Sequence, residues 1–256
     1  MDQVKLRRLL KRIKPIDFQM YQQIDSTNLA AKRQALVLAT KEKPTLLLAN
    51  EQTAGYGRQG RPFLSPRSVG LYMTLVLPGV KLKQLDAGQV TITMAVATAQ
   101  AISRTVRREV SIKWVNDIYY LQHKVAGILV EGWQQDGQSA LMIGLGLNLM
   151  SADYPLALQK KVGSLALDQV DKASLVAAII ERFFYLQTQP FAQVMAIYRN
   201  LSCLQHRNVI LQVAGQQIRG QVTGFDQHGG IQLETDQGQR TFYSGEVIKV
   251  NVLPKQ

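Results

Sequence analysis

The chain has 256 residues, 46% of them apolar, with one cysteine, three histidines and a formal net charge of +12. The apolar share excludes a disordered chain. Cys203 standing alone excludes an internal disulfide and a cysteine-based zinc site, and His123, His206 and His228 lack metal-ligand spacing.

In chain order, Val4 to Ile13 has leucines and basic residues at helical spacing, which predicts a short basic amphipathic helix docking its leucine face on a core. "FQMYQQIDSTNLAAKRQAL" predicts a strand, a turn and a helix opening after Ser26 or Thr27, both good N-caps. "TLLLAN" (45–50) is a buried strand that delivers a glycine loop, and "LYMTLVL" (71–77) is the strand that leaves it. Ala87 to Arg107 is a long buried helix. Its charge-free part, Ala87 to Ser103, is diluted by threonines, glutamines and a glycine, short of the ~20 mainly apolar residues of a membrane span. "SIKW", "DIYYLQ" and "VAGILVEG" read as short strands with a turn at "QHK", and "WQQDGQS" as a hairpin turn leading into the strand "LMIGLGLNL". An irregular stretch with Pro155 and Gly163 precedes helices over Ser174 to Leu186 and Phe191 to Leu201. From Asn208 onward four short strand-like segments, separated by "AG", "DQHGG" and "DQG", predict a small β-barrel or sandwich of ~50 residues. A boundary near Cys203 divides the chain into 1–203 and 204–256. With no secretory h-region and a single cysteine, a cytoplasmic setting is expected.

The loop "EQTAGYGRQGRPF" sets Gly55, Gly57 and Gly60 among Arg58 and Arg61. Its GxGxxG spacing is not the dinucleotide fingerprint. Pro62 and Pro66 follow where a helix should open, and no carboxylate lies between Glu51 and Asp86 to take a ribose. A P-loop is excluded too, because no Lys-Ser or Lys-Thr follows a glycine. The residues still suit an anion: glycine lets amides approach a ligand, and guanidinium donors keep their protons. The net charge has the same two readings, a solvated basic surface or a site for an anionic partner.

Four more segments are polar where core strands should be bland: "DSTN" (25–28), "KWVND" (113–117), "HKVAGILVEG" with Lys124, and "IGLGLNL" with Asn148. In this order, with the loop, they resemble the biotin protein ligase (biotin–[acetyl-CoA-carboxylase] ligase) family from about Tyr21 to Met150, with a C-terminal β module where the family also has one. The resemblance implies an α+β fold, with a mixed, largely antiparallel sheet packed against helices in a class II synthetase-like catalytic domain, plus a small SH3-like β-barrel. It implies a two-step ligase that makes biotinyl-5′-AMP from biotin and ATP, then transfers biotin to a lysine of a biotin carboxyl carrier domain. Mg²⁺ would accompany ATP, and no tightly bound organic cofactor is expected.

Carried over onto this sequence, the resemblance gives Ser26, Thr27, Asn28 and Gln52 to the ureido end of biotin, with the Gly55 backbone nearby. Tyr56, Gly57 and Arg58 face the ligand, and Arg58 and Arg61 hold phosphate and the biotin carboxylate. Lys124 touches the reacting carboxylate and phosphate. Lys113, Asn116 and Asp117 lie on the nucleotide side, Asp117 as the residue for Mg²⁺ or for positioning, and Asn148 reads adenine. Trp114 is either a site residue or core filler. The family often has arginine where Tyr56 stands, proline where Val115 stands and tryptophan where Phe63 stands, which bears on loop closure and affinity. The loop is expected to order on ligand, having no apolar anchor between Ala54 and Pro62. "DSTN" begins at Asp25, leaving room for one short helix before the catalytic strand, so the form without a helix-turn-helix repressor domain is expected, with no sequence-specific DNA binding and no membrane. A homodimer is possible and no motif decides it. A lipoate or octanoate ligase on the same fold is the rival enzyme, and a basic nucleic-acid-binding protein the rival without catalysis.

Overall fold

The computed structural model describes residues 1–159 and 161–251. Helix α1 (Gln3–Ile13) opens where Asp2 accepts a hydrogen bond from the Lys5 amide, and it ends on Lys11 and Arg12, which suit a helix C-terminus. Its Leu6 and Leu10 are fully buried, so the leucine face docks on the core as the spacing predicts. Strand β1 (Asp17–Tyr21) leads to helices α2 (Thr27–Arg33) and α3 (Ala35–Ala39), then to strands β2 (Thr45–Ala49) and β3 (Gly70–Pro78) on either side of the glycine loop. The long helix is α4 (Ala87–Val106), opened by Asp86, whose carboxylate accepts from the amides of Gly88 and Gln89. Thr91, Thr93 and Thr98 each donate their hydroxyl to the carbonyl four residues back, which is how a threonine-rich helix can be buried.

Strands β4 (Ser111–Lys113), β5 (Asp117–Tyr120), β6 (His123–Gln135) and β7 (Gln138–Asn148) complete a seven-stranded sheet of order β1-β2-β3-β7-β6-β5-β4. Only β1 and β2 run parallel; every other neighbouring pair is antiparallel. The turn expected at "QHK" falls instead on Leu121, which is left-handed (φ 55°), and Gln122. His123 and Lys124 therefore belong to β6, which runs unbroken for 13 residues because β7 pairs with it to the end of the hairpin.

Because strand side chains alternate between faces, the sheet has two different sides. Leu46, Leu48, Leu71, Leu75, Leu141 and Ile143 join the main core, together with α4 and the helix α6 (Lys172–Gln187). Leu47, Val76, Ala140 and Met142 pack against the alanines of α2 and α3 on the other side. The stretch expected to be irregular around Pro155 holds a one-turn helix, α5 (Leu156–Gln159). Helix α7 (Phe191–Leu201) matches its sequence-based bounds.

Beyond it, five strands rather than four segments form the small module: β8 (Asn208–Val213), β9 (Gln216–Phe225), β10 (Ile231–Thr235), β11 (Gly238–Phe242) and β12 (Glu246–Val250), in the order β11-β10-β9-β8-β12. The expected last strand is broken at Gly245, whose φ of 134° leaves the strand region. That break puts β11 and β12 on opposite edges of the same sheet, three residues apart in the chain. Three residues reach roughly 10–14 Å at most, so the sheet must be rolled, as in a small SH3-like barrel. Of the module expected over 204–256, residues 252–256 lie outside the described residues.

Candidate active site

The second face of the large sheet carries glycines where side chains would otherwise stand. A Cβ on Gly144 would lie 2.3 Å from Asn28 Oδ1, and one on Gly146 would lie 2.3 Å from the Phe63 ring. These glycines let the start of α2 and the returning arm of the glycine loop lie directly on β7. Between them opens a cleft lined by Ser26, Thr27, Gln52, the loop from Tyr56 to Phe63, Lys113, Asn116, Asp117, Lys124 and Glu246.

One end of the cleft is a neutral hydrogen-bond network. Ser26 stands at the N-cap position of α2, yet its side chain makes no cap hydrogen bond, contrary to the capping expected for it. Its hydroxyl is left for a ligand. The Thr27 amide and hydroxyl both donate to Gln52 Oε1, at 2.8 and 3.1 Å, and Gln52 Nε2 donates to Ser65 Oγ at 2.8 Å. Gly55 lies beside this network rather than on the cleft wall: a Cβ there would sit 2.9 Å from Gln52 Nε2. Asn28 is held at both ends of its amide. Thr74 donates to its Oδ1 at 2.5 Å, and its Nδ2 donates to Glu131 Oε2 at 2.9 Å.

The other end is charged. The loop forms a tight hairpin in which the Gly57 amide donates to the Arg61 carbonyl and the Phe63 amide to the Gly55 carbonyl, with Gln59 and Gly60 left-handed at its tip. Three side chains anchor a segment that has no apolar anchor in sequence. Tyr56 donates to Glu131 at 2.7 Å, Arg58 to Asn116 Oδ1 at 3.3 Å, and Arg61 to Glu246 at 2.5 Å. Asn116 also donates to the Ile128 carbonyl, which fixes its amide orientation. Lys124 Nζ lies 2.7 Å from Asp117 Oδ1, a close ion pair in which both side chains are mostly shielded from solvent. Gly127 lies against the pair, where a Cβ would be in ordinary contact with Lys124 at 3.4 Å. Burial lowers the proton affinity of the Lys113 ammonium, although Asp117 works against this.

Two residues from the resemblance sit differently from the rest. Trp114 is buried with its indole N–H donated to the Gly229 carbonyl of the small module, so it fills the core while one side reaches the cleft. Asn148 is buried off the cleft wall; its Nδ2 donates to the Gly163 carbonyl and its Oδ1 has no partner. Sequence reading missed two carboxylates. Glu131 was visible as the one charge at the end of an apolar strand run, a signal that could have marked it. Glu246 comes from the other module and had no local signal.

The cleft thus joins neutral amides and hydroxyls at one end to Arg58, Arg61, Lys113 and Lys124 at the other. That arrangement suits a ligand with a polar neutral head and an anionic tail, placed beside a second, polyanionic ligand.

Comparison with known proteins agrees with this construction. The model of the biotin/lipoate A/B protein ligase family matches residues 20–148, and that of the biotin protein ligase C-terminal domain matches residues 207–250. The bifunctional ligase/repressor BirA of Bacillus subtilis is 29% identical over 231 residues, covering 85% of this chain and 70% of that protein. The biotin–[acetyl-CoA-carboxylase] ligase of Paracoccus denitrificans is 27% identical over 243 residues, covering 90% of this chain and 99% of that one. The Aquifex aeolicus biotin protein ligase, solved in complex with biotin and ATP, superposes with a TM-score of 0.76 at 24% identity, over 90% of this chain and 97% of its own. With the first model spanning half of the sequence and the second most of the small module, the chain belongs to the biotin/lipoate A/B protein ligase family.

Proposed function

We propose that this chain is an ATP-dependent biotin–carrier-protein ligase, with residues 1–203 as the catalytic domain and 204–256 as an accessory barrel that lends Glu246 to the cleft. The observation that carries the reading is the two-ended cleft: a neutral hydrogen-bonding pocket at Ser26, Thr27 and Gln52, facing a cationic end at Arg58 and Lys124. A ureido ring needs donors and acceptors at its head, whereas a lipoyl or octanoyl chain offers no partner to the free Ser26 hydroxyl.

In the first half-reaction the biotin carboxylate attacks the α-phosphate of ATP and pyrophosphate leaves. Two anions must meet, and Lys124 with Arg58 offsets that repulsion where charge builds. Arg61 and Lys113 hold the remaining phosphate oxygens and Asn116 positions Arg58; Asn148, which the resemblance assigns to adenine, is buried off the cleft wall with its Oδ1 unpartnered. Among the described residues no cluster of three metal-ligating side chains exists. Mg²⁺ takes one or two carboxylates and fills its remaining positions with phosphate and water; Asp117, on the cleft wall beside Lys124, is the residue that would hold it. When bound, the ion supplies positive charge to the phosphates. In the second half-reaction the amine of a carrier lysine attacks the anhydride carbonyl, forming the amide and releasing AMP. The loop over the cleft keeps water from that anhydride.

Incubation with biotin, ATP·Mg²⁺ and a biotin carboxyl carrier domain, read by intact mass, should add one biotinyl group to the carrier. An unmodified carrier would refute the reading, and labelling by lipoate in preference to biotin would replace it with the rival. Among the described residues no helix is long and apolar enough to cross a membrane.

A further inference from the structure

Glu131 takes no part in the chemistry above, yet three side chains from two elements of the site meet on its carboxylate. Its Oε1 accepts from Lys32 of α2 at 2.7 Å. Its Oε2 accepts from Tyr56 of the glycine loop at 2.7 Å and from Asn28 of α2 at 2.9 Å. The Lys32 ammonium also lies 5.4 Å from the centre of the Tyr56 ring, a cation–π contact across the same cluster. Burial raises the Glu131 carboxyl, but Lys32, Asn28 and Tyr56 together hold it below the ordinary carboxylate range, so it is an ionised acceptor at neutral pH.

The location gives the cluster a consequence for the reaction. Tyr56 stands two residues before Arg58, and both line the cleft. Fastening the Tyr56 phenol to β6 and α2 sets the arm of the loop from which Arg58 reaches Asn116 and the phosphate end. The same carboxylate fixes the amide of Asn28, one residue from Thr27. A single group on a rigid strand thereby couples the entrance of the neutral pocket to the closure of the cationic loop.

We propose that Glu131, neutralised by Lys32, is a positioning residue that latches the glycine loop through Tyr56 and so sets how long the adenylate is retained. The latch rests on the ligase reading above. It transfers no proton or group; it acts by holding closed the segment that separates the anhydride from water. A charge-assisted hydrogen bond of this kind is worth about tenfold in an equilibrium constant, or somewhat more.

The test is the loss of biotinyl-AMP from the enzyme without any carrier, followed after a single turnover with biotin and ATP·Mg²⁺. Tyr56→Phe removes the phenol and keeps the ring under Lys32. Glu131→Gln with Lys32→Met removes the charge pair together, so that no lone charge is left to unfold the cluster. Each is expected to lose adenylate about tenfold faster than wild type, and the Glu131→Gln with Lys32→Met variant, whose residues lie off the cleft wall, to do so with adenylate formation changed much less. The combined triple variant should be no leakier than the worse of the two, because both break one contact. Adenylate retained as in wild type by both variants overturns the latch, as does a triple variant whose effects multiply. A merely structural role would instead lower formation, retention and melting temperature together, and that outcome overturns it too. A wild-type chain that makes no adenylate would refute the ligase reading itself, which keeps the two failures distinct.

Discussion

The two ends of the cleft are built by opposite means. At the neutral end, Thr27, Asn28, Gln52 and Thr74 are held by one another through short bonds, with Thr27, Asn28 and Thr74 nearly or fully removed from solvent. At the cationic end, positive charges are balanced by the protein's own carboxylates, Lys124 by Asp117 and Arg61 by Glu246. The Arg61 pair is exposed enough to be remade at little cost, since such pairs are worth about 0–1 kcal/mol. The difference shows what each end is ready for. A neutral head group finds its partners already in place, whereas a phosphate must displace a carboxylate, and a weak pair makes that displacement cheap.

The sharpest way to break the comparison is Lys124→Ala. If the cationic end acts on charge developing during reaction, adenylate formation in a pyrophosphate-exchange assay should fall by about 10²–10³. Biotin binding measured by calorimetry should stay within about tenfold of wild type, and preformed biotinyl-AMP should restore part of the carrier labelling. A variant forming adenylate at the wild-type rate would make Lys124 structural.

Gly144→Ala attacks the neutral end through shape alone. Its Cβ would stand 2.3 Å from Asn28 Oδ1, so the variant should lose about 1–3 kcal/mol in urea unfolding and bind biotin more weakly. Unchanged stability would mean that α2 is not seated as tightly on β7 as the distance states. Gln52→Ala strips the acceptor from the Thr27 amide and hydroxyl and should weaken biotin about tenfold while leaving ATP affinity alone. Equal losses for both ligands would dissolve the distinction between the two ends.

The smallest effect is expected at Glu246→Gln. Fluorescence titration of ATP should change by about two- to threefold, and the salt dependence of that binding should alter more than its value at physiological salt. Arg61 holds the Glu246 carboxyl below its ordinary 4.5. A depressed carboxylate adds stability that is present above its unfolded value and lost as pH falls through the folded one. The acid limb of a stability–pH profile, measured by urea midpoints below about pH 4.5, should therefore be slightly flatter in the variant. An identical limb would show that the pair contributes nothing in solution.

Much of this molecule could be read from short windows of sequence. The spacing of leucines in α1, the charge-free run of α4 and the strands flanking the glycine loop are local patterns, and each became the expected element because burial follows hydrophobic periodicity. The cations proposed for the phosphate end were legible for the same reason, as residue types clustered within a few positions of a glycine turn or a strand. Tertiary structure alone decided which groups each of them meets. Tyr56 finds Glu131 at a separation of 75 residues, and Arg61 finds Glu246 at 185. Ser26 is freed from its cap, Asn28 is turned inward by Thr74 and Glu131, and Trp114 is drawn to the carbonyl of Gly229. Local sequence sets which conformations a segment can adopt. Hydrogen-bond partners across a cleft are set by the register of β6 on β7 and by a barrel closing over the sheet, and no window of neighbouring residues contains that information.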